Sequence, residues 1–169
     1  MKFSEIEKQD LFKAWLMLSI AFAIVMGGFS FTFQFAIQMA IAAITVGLGF
    51  LLHEMGHKFL AQKYGCVAEF RANMQMLFLA VLMSFFGFIF AAPGAVFIGG
   101  KHVGVKENGQ ISAMGPLMNI VLALIFLGFL FHFPDSILVY YGFLINSWLR
   151  NMDVLQNSEQ ICKCLFLQY

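Results

Sequence analysis

From Ala14 through His53 the chain carries no Asp, Glu, Lys or Arg. A soluble fold rarely contains such a stretch, because it covers its surface with groups that water solvates, and about a quarter of its residues are usually charged. Here 11% are charged and 61% hydrophobic, with a mean hydropathy of +0.83. Lipid is therefore the expected solvent. The 169 residues fit one membrane domain.

A helix needs about 20 apolar residues to cross a bilayer, so this stretch has room for two crossings. The expected spans are 14–31 and 36–61, separated where Ser, Thr and Gln are dense near Ser30–Gln34. Further apolar runs lie at about 75–92, 113–131 and 137–149. The expectation is an all-α, polytopic membrane helical bundle of about five spans. Between spans three and four, residues 95–107 alternate and are Gly-rich, which reads as a short hairpin or re-entrant loop. Such backbone is tolerated at membrane depth only under cover of protein or water. The first apolar run reads as a span and not a signal peptide, since further spans follow and no small-x-small cleavage pattern ends it.

Residues 1–13 mix Lys2, Glu5, Glu7, Lys8, Asp10 and Lys13. They read as an amphipathic helix on the membrane with Phe3, Ile6 and Phe12 toward lipid, or as a solvated tail. From Arg150 the composition turns polar, which divides the chain into a membrane domain, 1–149, and an atypical polar tail, 150–169. Basic residues favour the cytoplasmic side. With five crossings the N-terminal lysines share that side with Lys58, Lys63 and Arg71, while Lys101 and Lys106 fall on the other. The net charge of +1, without a basic stripe carrying interleaved aromatics, argues against nucleic acid as a partner. Three cysteines, Cys66, Cys162 and Cys164, do not make a disulfide framework. Cys162-x-Cys164 is a metal-binding pair or two unpaired thiols in the tail.

The chemistry is concentrated at His53-Glu54-Met55-Gly56-His57, at the end of the second span. Residues i and i+4 share a helix face, so His53 and His57 can aim two imidazoles at one zinc ion. Glu54 follows the first of them and can act as general base on a metal-activated water. In a chain of this composition the pattern is expected by chance about 0.003 times, and an ionisable residue within a membrane helix is by default a functional hypothesis. The bland alternative is a polar helix end at the headgroup boundary, where Lys58 would also belong. Gly47, Gly49 and Gly56 allow a neighbouring helix to approach closely. A hydrolytic zinc usually has three protein ligands and one open position. The later candidates for the third are His102, His132, Glu107, Asp135, Asp153 and Glu159, and among the carboxylates only Asp153 lies just past a late span.

These motifs resemble the site-2 protease family of intramembrane metalloproteases, in particular its short prokaryotic forms. The likeness covers roughly residues 10–149. It rests on Phe50-Leu-Leu-His-Glu-Met-Gly-His-Lys-Phe-Leu-Ala-Gln-Lys-Tyr-Gly65, then Ala92-Pro-Gly-Ala-Val-Phe-Ile98, then the Gly-Pro-x-x-Asn pattern ending at Asn119. The resemblance implies a multi-pass protein of a prokaryotic cell membrane that cleaves transmembrane protein substrates within the lipid bilayer. It implies that Asn119 lies near the active site and binds substrate backbone; a helix–helix hydrogen bond would explain the same residue. The family's third zinc ligand is the Asp of a later Leu-Asp-Gly segment. Here Arg150-Asn-Met-Asp-Val-Leu-Gln stands in its place, so Asp153 is the substitute by position alone, and the end resembles a truncation or a frame shift. A catalytically inactive relative that binds membrane substrates or zinc without cleavage is the alternative function. A metal transporter would need more intramembrane carboxylates and histidines than this chain has.

Overall fold

A computed structural model describes residues 2–90, 92–100 and 103–132. Helix α1 (Glu5–Gly27) starts at Ser4, whose hydroxyl accepts the Glu7 N–H as an N-cap. It continues without a break from the charged N-terminal residues into the first apolar run, so residues 5–13 are the first turns of that same helix and not a separate one. Helix α2 (Phe33–Ala42), a π-helical turn (Ala43–Gly47) and helix α3 (Leu48–Lys63) form one continuous rod of 31 residues. At about 1.5 Å per residue this rod is about 46 Å long, more than the roughly 30 Å hydrocarbon core. The π turn widens the helix, and Trp15 of α1 donates its indole N–H to the Ala43 carbonyl there at 3.1 Å.

Gly65 ends α3 in the left-handed region, with φ 80°. The Gly65 and Cys66 N–H groups turn back to the Gln62 and Ala61 carbonyls, a Schellman-type stop that favours glycine. Strand β1 (Val67–Ala72) follows, then α4 (Met74–Ser84), strand β2 (Gly94–Gly99) and α5 (Val105–His132). The strands pair antiparallel, with Phe70 opposite Val96 and Ala72 opposite Gly94.

Among the described residues three helices are long and apolar enough to cross a membrane: Glu5–Gly27, Phe33–Lys63 and Val105–Phe129. They correspond to the first, second and fourth expected spans. The third apolar run behaves differently. Its helix α4 has 11 residues, about 16 Å at 1.5 Å per residue, too short for a crossing. The chain then returns, and Asn73 N–H meets the Pro93 carbonyl at the foot of the excursion. Within the expected hairpin at 95–107, the described residues Gly94–Gly99 pair instead with Val67–Ala72, and α5 begins at Val105. The fold is thus mostly helical but includes a small sheet. The fifth span, 137–149, and the tail, 150–169, lie outside the described residues.

The return of α4 also changes the charge distribution. Lys2 meets Gln62, Lys58 meets Glu7, Arg71 meets Glu69, and Tyr64 near the end of α3 bonds Gln110 in α5. These contacts gather the described lysines and Arg71, including Lys106 in the first turn of α5, at one end of the bundle. Lys106 therefore does not lie across from Lys63 as a five-crossing count places it. Leu11, Ala14 and Leu18 of α1 pack with Phe50, Phe70 and Leu77 to join α1, α3, β1 and α4 in one core. Phe31, Phe33, Phe86 and Phe131 project outward, as suits a surface solvated by lipid.

Candidate metal centre

His53 and His57 sit one turn apart on α3, and both imidazoles turn toward α5. Their Nε2 atoms are 3.0 Å apart and their rings stand edge to face, 81° between planes. His57 Nδ1 lies 2.7 Å from the Ile111 carbonyl. A carbonyl only accepts, so His57 Nδ1 carries the proton and Nε2 presents its lone pair. His53 Nδ1 lies 3.2 Å from the Asn119 carboxamide nitrogen. Asn119 is 1% exposed, and its Oδ1 is buried with no hydrogen-bond partner. Glu54 is buried on the same helix.

Two glycines let the helices come this close. A Cβ on Gly56 of α3 would lie 2.8 Å from Met118 Cγ and 3.1 Å from the Met114 carbonyl oxygen. A Cβ on Gly115 of α5 would lie 2.3 Å from His57 Nε2 and 2.5 Å from His53 Nε2. The space that a side chain would fill at Gly115 is therefore equidistant, within a few tenths of an ångström, from both Nε2 atoms. Both rings therefore pack directly on the Gly115 backbone, and two Nε2 atoms 3.0 Å apart can share one zinc ion at about 2.0–2.1 Å from each, so the pair fits a metal ion. Gly115 is followed by Pro116, which lacks the N–H that would otherwise reach the Ser112 carbonyl within α5.

Sequence reasoning therefore found the residues that the fold brings together: His53, Glu54 and His57 on α3, with Asn119 against His53. It left Asn119 between a contact with substrate backbone and a helix–helix hydrogen bond, and the amide lies against the His53 ring of the neighbouring helix. It missed the Ile111 carbonyl and Gly115. The available signal was their spacing, since 111, 115 and 119 recur every four residues and so share one face of a helix. Among the described residues no group of three or more His, Cys, Asp and Glu side chains could hold a metal. Asp153, like His102, Asp135 and Glu159, lies outside the described residues. His132 ends α5 and Glu107 begins it, and neither joins the pair.

No family model matches the chain. No solved structure matches it. A Methanocaldococcus jannaschii protein named "Putative zinc metalloprotease" is 37% identical over 159 residues, covering 91% of this chain and 80% of that relative. Likeness of that extent and coverage, over a chain in which His53-Glu54-x-x-His57 is assembled on one helix, means that the chain belongs to this zinc metalloprotease family.

Proposed function

We propose that this protein is an intramembrane zinc metalloprotease of the site-2 type, which hydrolyses peptide bonds of membrane-embedded segments of transmembrane protein substrates. The observation that carries the reading is the pair of Nε2 atoms 3.0 Å apart, facing the bare Gly115 surface from within a long apolar helix. His53 and His57 would hold zinc there through their Nε2 atoms, and the ion would supply Lewis acidity toward water and a substrate carbonyl. Glu54 takes the proton of the attacking water as general base and can pass it to the leaving amine. The Ile111 carbonyl holds the His57 ring by its Nδ1–H. Asp153 occupies the sequence position suited to a third ligand.

Depth supports the intramembrane reading. Counting back from Lys63 at about 1.5 Å per residue, His57 lies about 9 Å and His53 about 15 Å along the helix, within a hydrocarbon core about 30 Å thick. The gathering of basic residues at one end favours that end as cytoplasmic. We place the protein as a multi-pass component of a prokaryotic cell membrane, with the lipid bilayer as its solvent.

The test uses purified protein in detergent. It should carry close to one zinc per chain by elemental analysis, and His53→Ala together with His57→Ala should remove it. Glu54→Gln should keep the zinc while slowing cleavage of a transmembrane substrate by about 10²–10⁴-fold. Zinc content unchanged by the double substitution overturns the metal assignment; cleavage at the parent rate by Glu54→Gln overturns the base.

A further inference from the structure

We infer that Asn119 is a positioning residue that fixes the tautomer of His53, with its carboxamide oxygen accepting the His53 Nδ1–H when metal occupies Nε2. The inference rests on the zinc reading above and replaces the substrate-backbone role that the family resemblance implies for this residue.

The argument is proton bookkeeping. A neutral imidazole carries one N–H. A metal on Nε2 requires that proton to be on Nδ1. For His57 the requirement is met by the Ile111 carbonyl, which accepts from Nδ1 at 2.7 Å. For His53 the group at Nδ1 is the Asn119 amide, 3.2 Å away. With Nδ2 at that contact, the amide donates to Nδ1 and forces the ring proton onto Nε2, the atom the metal needs. The same orientation leaves Asn119 Oδ1 buried without a partner. The two ends of a carboxamide have nearly the same shape, so a half-turn about its terminal bond exchanges them. Oδ1 then meets Nδ1–H, and His53 gains the same kind of acceptor that His57 already has.

The placement on α5 favours this role. Ile111, Gly115 and Asn119 fall at successive four-residue intervals on one helix face. They contribute an acceptor for one ring, clearance for the metal, and an acceptor for the other ring. The face of α5 is thereby a template for both imidazoles. Asn119 is also 1% exposed, which suits a residue held against His53.

Asn119→Leu keeps the size of the side chain and removes the acceptor. Asn119→Asp keeps an acceptor at the same place. Zinc affinity of the detergent-purified chain is measured by competition with a chromophoric chelator, and the His53 ring is followed by ¹⁵N-imidazole NMR with the metal bound. Loss of such a partner should weaken zinc binding about 10–100-fold. That loss is expected for Asn119→Leu, and Asn119→Asp should bind zinc at least as tightly as the parent. The parent should show a protonated Nδ1 at His53. Parental zinc affinity in Asn119→Leu with a raised KM for substrate overturns the proposal in favour of a substrate contact. Equal weakening by both substitutions overturns it in favour of packing. A parent chain that binds no zinc overturns the proposed function itself, a result these variants do not mimic.

Discussion

His57 and Lys58 are neighbours in sequence but serve two different polar clusters on opposite sides of α3. On one side Lys58 pairs with Glu7 of α1, both side chains 1% exposed. The second Glu7 carboxylate oxygen accepts the Phe70 N–H of β1 at 2.9 Å. The Lys58 ammonium lies 4.4 Å from the centroid of the Phe3 ring, in cation–π contact. This cluster is closed: opposite charges meet and both carboxylate oxygens are engaged. On the other side, two imidazole nitrogens face each other across the Gly115 surface, and a buried amide oxygen has no partner. An unsatisfied buried polar group costs about 1–3 kcal/mol. In that sense the first cluster is closed, while the second is open at one described atom, Asn119 Oδ1.

The comparison breaks most sharply at Gly115. Gly115→Ala places a Cβ 2.3 and 2.5 Å from the two Nε2 atoms, so both imidazoles must move out of the alignment that lets them share a metal. Zinc retention should be abolished. Alanine is also a better helix former than glycine, by about 0.5–1 kcal/mol, so helical content should be kept. Elemental analysis and circular dichroism on one preparation check both. A Gly115→Ala protein that retains its zinc shows that the open cluster is not the metal cradle.

The closed cluster should respond through stability instead. Removing one member of a buried pair strands the other charge, at a cost of about 3–5 kcal/mol. Glu7→Ala and Lys58→Ala should each lower the midpoint of thermal unfolding strongly. The double replacement Glu7→Leu with Lys58→Met removes both charges and should recover most of the loss, while the folded protein keeps its zinc. If the double variant is as unstable as either single one, the pair is not the source of the stability. If it folds but has lost its zinc, the two clusters are coupled and the contrast between them fails.

How far the sequence revealed this arrangement depends on the range of the interaction. The meeting of the His53 and His57 rings was legible because i and i+4 on a helix meet whatever the tertiary fold. Gly65 ends α3 because the left-handed position after a helix favours glycine. Three apolar runs were identified correctly as potential crossings, their ends shifted by a few residues. The run at 75–92 was misread as a span because an apolar run shows only that a segment avoids water, not that it crosses a membrane. Met74–Ser84 is covered partly by α1 and the rest of the run returns toward β2. The burial of Ala68 and Phe70, alternating along β1, was the local trace of the strand. Its pairing partner lies beyond α4 in the chain, so no short-range pattern identifies it. Lys58 supported only the alternative of a helix end at the headgroup boundary, and its ion pair was not readable because its partner, Glu7, is 51 residues away. For the same reason Asn119 was placed near the site by resemblance, yet its contact with His53 was not readable.

The smallest expected effect isolates burial from charge. Asp10 lies one turn beyond Glu7 on α1 and makes the analogous contact with β1, accepting the Ala72 N–H at 3.4 Å. It also meets Lys13 at 3.6 Å, with side chains 16% and 48% exposed. Both carboxylates therefore tie the same helix to the same strand, but the contacts of Asp10 are longer and partly wet. A partly exposed ion pair is worth about 0.2–1 kcal/mol and is screened by salt. Asp10→Ala should then cost about 0.5–1 kcal/mol in all, falling as salt rises, whereas the loss from Glu7→Ala should hardly change with salt. Thermal unfolding of the two variants at low and high salt measures both dependences. Equal losses with equal salt sensitivity would mean that the charge on α1, and not its removal from water, is what holds β1 beside α3.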